Sequence, residues 1–206
     1  MSIMKGMLDN RGDTLIEVMF AIAVFSLVAV GAISIMNQGA DTAQRALEIA
    51  LVRQQIDAQA ETLRFLNASY IAAYEAGGTY SASPYAEQWQ SIQGHLSSSV
   101  VASSTSATCA MAKDITNSFI LNTHTAEFAS QGSGGLTFEP ADTFSQVNYN
   151  NNTAYGIWIQ GVSPGQFSGD QSSSTYIDFH INACWYSPGQ SMPVTIGTIV
   201  RLYEPV

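Results

Sequence analysis

The hydrophobic period of this chain changes along its length. From Val18 to Met36 no charged residue occurs, and only Ser26, Gly31 and Ser34 interrupt the apolar run, so no face of a helix built from it would be polar. At 1.5 Å per residue that run makes a helix of roughly 28 Å, about the thickness of a bilayer's hydrocarbon core. Past Asp41 the character becomes amphipathic. Ile49, Ile56, Leu63 and Tyr70 recur every seven residues, with Val52, Gln59, Leu66 and Ala73 three places after each. That spacing lays one stripe along a helix. No proline occurs between Met1 and Ser83, so both segments are predicted to form one helix ending near Tyr74, with Gly77-Gly78 as its carboxy-terminal cap. Gly31 and Gly39 are its weak points, each costing roughly 1 kcal/mol relative to Ala. The stripe suits either a coiled-coil seam or packing against the protein's own sheet. Gln59 in the seam and the strand-rich region that follows favour the sheet.

After the helix, Pro84–Gln93 is predicted as a short helix with Pro in its first turn and Trp89 and Ile92 facing inward. Leu96–Thr108 is rich in Ser and Thr and reads as a surface loop. Ser118–Leu121 reads as a strand with Ala126–Phe128 as its hairpin partner, and Gln131–Gly135 as a turn. The last third alternates with a period of two. Tyr155–Val162, Thr175–Tyr186 and Val194–Tyr203 are expected as strands, with Ser187-Pro188-Gly189-Gln190 turning between the last two. A three- or four-stranded antiparallel sheet with one apolar face, set against the helical stripe, predicts a two-layer α+β domain. No internal repeat is visible.

Composition refines this picture. The chain has 206 residues, enough for one domain plus the helix, and its net charge is −9. The acidic balance excludes a general nucleic-acid surface, which needs clustered Lys and Arg. Lys5 and Arg11 precede the apolar run, and the next basic residue after it is Arg45. The positive-inside rule therefore places residues 1–12 in the cytoplasm and the large remainder outside. Both cysteines, Cys109 and Cys184, fall in the exported part, where an even pair predicts one disulfide. The expected organisation is a leader at 1–12, a membrane helix at 13–38, its amphipathic continuation at 39–76 and an extracytoplasmic globular domain at 77–206.

A secretory signal carries its cleavage site after the apolar run. Here Gly12 lies before it, and Glu17 sits at the helix entrance, where an ionised carboxylate demands a partner. Gly12, Thr14, Leu15, Ile16 and Glu17, followed by the charge-free helix, resemble the prepilin signature of type IV pilins and type II secretion pseudopilins. One position departs from that pattern: the first mature residue is usually Phe, and here it is Asp13. The resemblance implies cleavage between Gly12 and Asp13 by a membrane prepilin peptidase, commonly with methylation of the new amino terminus. It also implies that Glu17 pairs with the terminal amine of a neighbouring subunit. The implied fold is pilin-like, a long helical spine packed on a carboxy-terminal antiparallel sheet. The implied partners are other pilin subunits, the peptidase, an inner-membrane assembly platform and, before assembly, the lipid bilayer.

The remaining chemistry is sparse. His95, His124 and His180 lack ligand spacing and read as surface or loop residues, so no metal site is expected. No nucleophile elbow, Cys-x-x-Cys or phosphate loop occurs, and no cofactor or enzymatic activity is expected. Sequons at Asn67 and Asn151 read as unmodified. Trp89 and Trp185 are expected in the core and Trp158, on the other side of its strand, is the better candidate for an exposed contact. The loops Asn148–Thr153 and Gly165–Ser174 are plausible recognition edges, with no ligand named. The expected function is a pilin or minor pilin of a surface filament serving adhesion, twitching motility or DNA uptake. A secretion pseudopilin and a membrane-anchored binding domain are the competing readings.

Overall fold

The computed structural model describes residues 13–77, 83–97, 109, 115, 117–131, 135–163 and 176–205. Helix α1 spans Asp13–Glu75, as the proline-free stretch predicts. It ends at Gly77, whose φ of +110° is open to glycine, with Gly77 N–H bonding the carbonyl of Tyr74 at 3.2 Å. By internal contacts the chain divides into two compact units, Met1–Ala46 and Leu47–Val206. In the first unit the apolar side chains of α1 stand exposed on every side.

The second unit holds the sheet. Helix α2 covers Pro84–Gln93, with Ser83 as N-cap and Trp89 and Ile92 fully buried. Strands follow at Ser118–Asn122 (β1), Glu127–Ser130 (β2), Thr137–Glu139 (β3), Gln146–Asn148 (β4), Thr153–Tyr155 (β5), Ile157–Val162 (β6), Tyr176–Trp185 (β7) and Val194–Tyr203 (β8). A five-stranded antiparallel sheet runs in the order β2-β1-β6-β7-β8. A second sheet, β3-β5-β4, is mixed, with β3 parallel to β5. The architecture is α+β: a long helix, apolar in its first half, packs its second half on an antiparallel sheet.

The stripe explains that packing. Val52, Ile56, Leu63 and Leu66 are buried in one cluster with Phe119, Ile159, Phe179 and Ile181 from the sheet, and Ile49 and Tyr70 pack at its margin. Gln59, the polar member of the stripe, is fully buried. Its Oε1 accepts from Leu121 N–H at 2.9 Å and its Nε2 donates to Leu121 C=O at 2.7 Å. The β1–β6 ladder pairs only Ser118 and Phe119, so Gln59 supplies on that side what a strand would.

Three expectations for the strand region change. Tyr155–Val162 is not one strand: β5 and β6 belong to different sheets and part at Gly156, whose φ is +63°. A Cβ there would lie 2.3 Å from the carbonyl oxygen of Cys184, so only glycine lets the chain cross between the sheets. The main sheet also has five strands rather than three or four, since β1 and β2 join the last three. Trp158 is 1% exposed rather than a surface contact. β6 is central, and Ile157, Trp158, Ile159 and Gln160 are all buried, as expected of a strand covered on both faces. Turn Ser187–Gln190 forms as expected, with Gln190 N–H bonding Ser187 C=O at 3.0 Å and Gly189 at φ +77°.

Candidate functional site

The first candidate site is the start of α1. Gly12 lies outside the described residues. Asp13 opens the helix. Glu17 is exposed in its second turn, at the threshold of the apolar run. Exposure reaches 73% at Phe25 and Met36 and 77% at Leu27, and these residues lie around the helix rather than along one stripe. One polar interruption is neutralised internally. Ser26 Oγ donates to the carbonyl of Ile22 at 2.7 Å and so needs no water. Gly31 and Gly39 have no heavy atom within 4 Å of where a Cβ would stand. A window of this helix has a mean hydropathy of 2.6 and none of it is buried. By length and composition the helix is able to cross a membrane.

Residues 7–33 match the model of the prokaryotic N-terminal methylation motif. The chain carries that motif. It is characteristic of type IV pilins and pseudopilins, structural subunits rather than enzymes, and together with the apolar helix it points to membrane anchoring. The motif implies processing by a prepilin peptidase and assembly with other pilin subunits. No curated protein and no solved structure matches the chain.

In the second unit, Cys109 and Cys184 form a disulfide across 75 sequence positions. Cys184 is buried at 1% exposure near the end of β7, in a dense knot. Its N–H bonds Gly156 C=O at 2.8 Å, and Ser145 Oγ bridges the carbonyls of Gly156 and Cys184 at 3.0 and 3.1 Å. The disulfide therefore fastens residue 109 where the two sheets meet.

Sequence reasoning overlooked Glu48, a carboxylate 5% exposed on the helix. It accepts hydrogen bonds from Trp185 Nε1 at 3.2 Å and Ser187 Oγ at 2.6 Å. The signal available was its place one residue before Ile49, beside the apolar stripe. On the outer face of β7–β8, Arg201 pairs with Asp178 through two bonds of 2.7 Å and stacks over the Tyr176 ring at 4.1 Å. The guanidinium hydrogen bonds hold the Asp178 carboxyl below its ordinary range.

The three histidines are not brought together. His124 is exposed in the β1–β2 turn, His180 is half-buried on the outer face of β7, and His95 packs on the Phe128 ring with Nε2 3.2 Å from Ser130 Oγ. No group of three or more His, Cys, Asp or Glu able to hold a metal ion occurs among the described residues. The sequons differ: Asn67 is 7% exposed with Nδ2 donating to Tyr203 C=O at 3.1 Å, whereas Asn151 is exposed in the β4–β5 turn. Of the two loops expected as recognition edges, Gly165–Ser174 lies outside the described residues. Asn148–Asn150 borders an open cleft of about 530 Å³.

Proposed function

We propose that this chain is a subunit of a type IV pilus-like surface filament, a pilin or minor pilin assembled through the first half of α1. The observation that carries this reading is the motif leading into a helix whose apolar surface is exposed all round. Such a helix cannot remain in water, because burying an aliphatic or aromatic side chain is worth about 1.5–3 kcal/mol. Lipid satisfies it before assembly and neighbouring helices satisfy it afterwards. Extraction then exchanges one apolar environment for another and never exposes the run to water. The leader 1–12 lies in the cytoplasm, the peptidase cuts between Gly12 and Asp13, and the sheet-bearing unit lies outside. Glu17 is the register key: a carboxylate left unpaired among apolar helices disfavours insertion at the wrong height, and a neighbour's terminal amine provides its partner. Gly12 is required because a bulky side chain there obstructs the extended backbone that a protease needs.

The test combines shearing with intact mass. The reading expects the chain in the sheared filament fraction, lacking residues 1–12. A Glu17→Ala variant should fold and insert normally yet enter filaments poorly. An intact amino terminus in a chain confined to the membrane would instead identify a membrane-anchored domain. A processed chain that stays with a secretion complex and never reaches the sheared fraction would identify a pseudopilin.

A further inference from the structure

The β1–β2 turn and strands β4 and β5 enclose the open cleft of about 530 Å³, within the roughly 300–1,000 Å³ usual for small-molecule sites. Its chemistry is specific. Asn122, His124, Gln146, Asn148, Tyr149 and Tyr155 line it, and among the described residues no Asp, Glu, Lys or Arg does. A lining of amides and tyrosines with one histidine offers many neutral hydrogen-bonding groups and no fixed charge among the described residues, which suits an uncharged polar ligand. We propose that this cleft binds a neutral saccharide.

Two of its amides are oriented in advance. Asn122 Oδ1 accepts from the backbone N–H groups of His124 and Thr125, at 3.0 and 3.4 Å, in the turn that leads to β2. Asn148 Oδ1 accepts from Asn150 N–H at 3.1 Å. With each oxygen committed to the backbone, the Nδ2 groups are the ends left to bond a ligand, and each carries two donors. Tyr149 is fixed from three sides. Its hydroxyl accepts from Thr123 Oγ1 at 2.9 Å, lies 3.4 Å from Gln59 Nε2, and its ring meets the His124 ring edge-on at 5.0 Å. Fixed rings and amides lower the ordering cost of binding. A pyranose presents hydroxyls around its rim and C–H groups on its faces. Amide donors suit the first and tyrosine rings the second. Nothing in the argument depends on filament assembly, because every group belongs to the second unit of one subunit.

The test uses the full chain in a detergent without a sugar headgroup. The probes are methyl glycosides of glucose, galactose, mannose and N-acetylglucosamine, with sialyllactose as an anionic comparator. Binding is read by saturation-transfer NMR and by titrating the side-chain amide signals of Asn122 and Asn148. At least one neutral glycoside should bind and shift both amide signals. Asn148→Asp, which keeps an oxygen for Asn150 N–H but replaces the donor by a carboxylate, should weaken that binding at least ten-fold. Gln146→Ala, at an exposed position where folding is not at stake, should weaken it several-fold. Failure of all four glycosides to bind, tighter binding of sialyllactose, or unchanged affinity in both variants would each overturn the proposal.

Discussion

The two halves of α1 belong to one helix and solve opposite problems. Between Leu15 and Met36 the large apolar residues are exposed throughout. Between Val52 and Leu66, Val52, Ile56, Ala60, Leu63 and Leu66 form one stripe buried against the sheet, and Phe65 stands off it, exposed. The second half is completed within its own chain, even to the polar Gln59, whose amide finds the backbone of Leu121. In the first half the large apolar side chains among the described residues are left exposed. A helix that is apolar all round requires an external apolar medium, whereas one with a single stripe requires only one neighbour. Hydrophobic periodicity thus separates the part that packs on its own sheet from the part that needs an external apolar medium.

Substitutions should respect that division. The largest effect expected is from Cys109→Ser with Cys184→Ser. Opening a 75-position loop removes about 4–5 kcal/mol in the chain-entropy estimate, a large share of a domain's stability. Chemical denaturation of the second unit should show that loss while membrane insertion is unchanged. Next, Leu63→Ala, at a fully buried position, should cost about 2–5 kcal/mol. Leu27→Ala, on the 77% exposed part of the helix, should leave the same unfolding curve where it was. A comparable loss from Leu27→Ala would erase the distinction between the halves.

Smaller effects sharpen the comparison. Gln59→Leu makes the stripe apolar at that position but strands both the N–H and C=O of Leu121, for an expected cost of about 1–3 kcal/mol. Should it stabilise the protein instead, Gln59 would be an imperfection in the seam rather than its anchor. The smallest effect belongs to the surface pair of Asp178 and the half-exposed Arg201. Asp178 has a depressed folded pKa, so its contribution is present above the ordinary carboxylate value of 3.8 and is lost as pH falls through the folded value. Thermal melts of wild type and Asp178→Asn should therefore differ at pH 7 and converge in strong acid.

Much of this was legible in the residues. The long helix, α2, the disulfide partners and the buried face of β7 follow from period, proline placement and cysteine count. The second sheet was not legible, because its strands span only Thr137–Glu139, Gln146–Asn148 and Thr153–Tyr155, too short to show a period. Gly156 was masked by apparent alternation from Tyr155 to Ile159, since positive φ leaves no trace beyond the glycine itself. Trp158 was misplaced by the same alternation, whereas the continuous run Ile157-Trp158-Ile159 was the better clue to a strand buried on both faces. Glu48 and the cleft around Tyr149 depend on contacts between segments distant in sequence, which no local pattern encodes.

The central claim is that the first half of α1 has no water-facing side, and accessibility scanning of that helix tests it most directly. Single spin labels would be placed in turn from Val18 to Met36 and from Ile49 to Leu66 in the full chain reconstituted in bilayers. Collision with oxygen and with a water-soluble paramagnetic complex would then be measured at each position. The account predicts oxygen-rich, water-poor values throughout Val18–Met36 with no helical period, and a clear 3.6-residue period from Ile49 to Leu66. A water-accessible face recurring every 3.6 residues between Val18 and Met36 would contradict it.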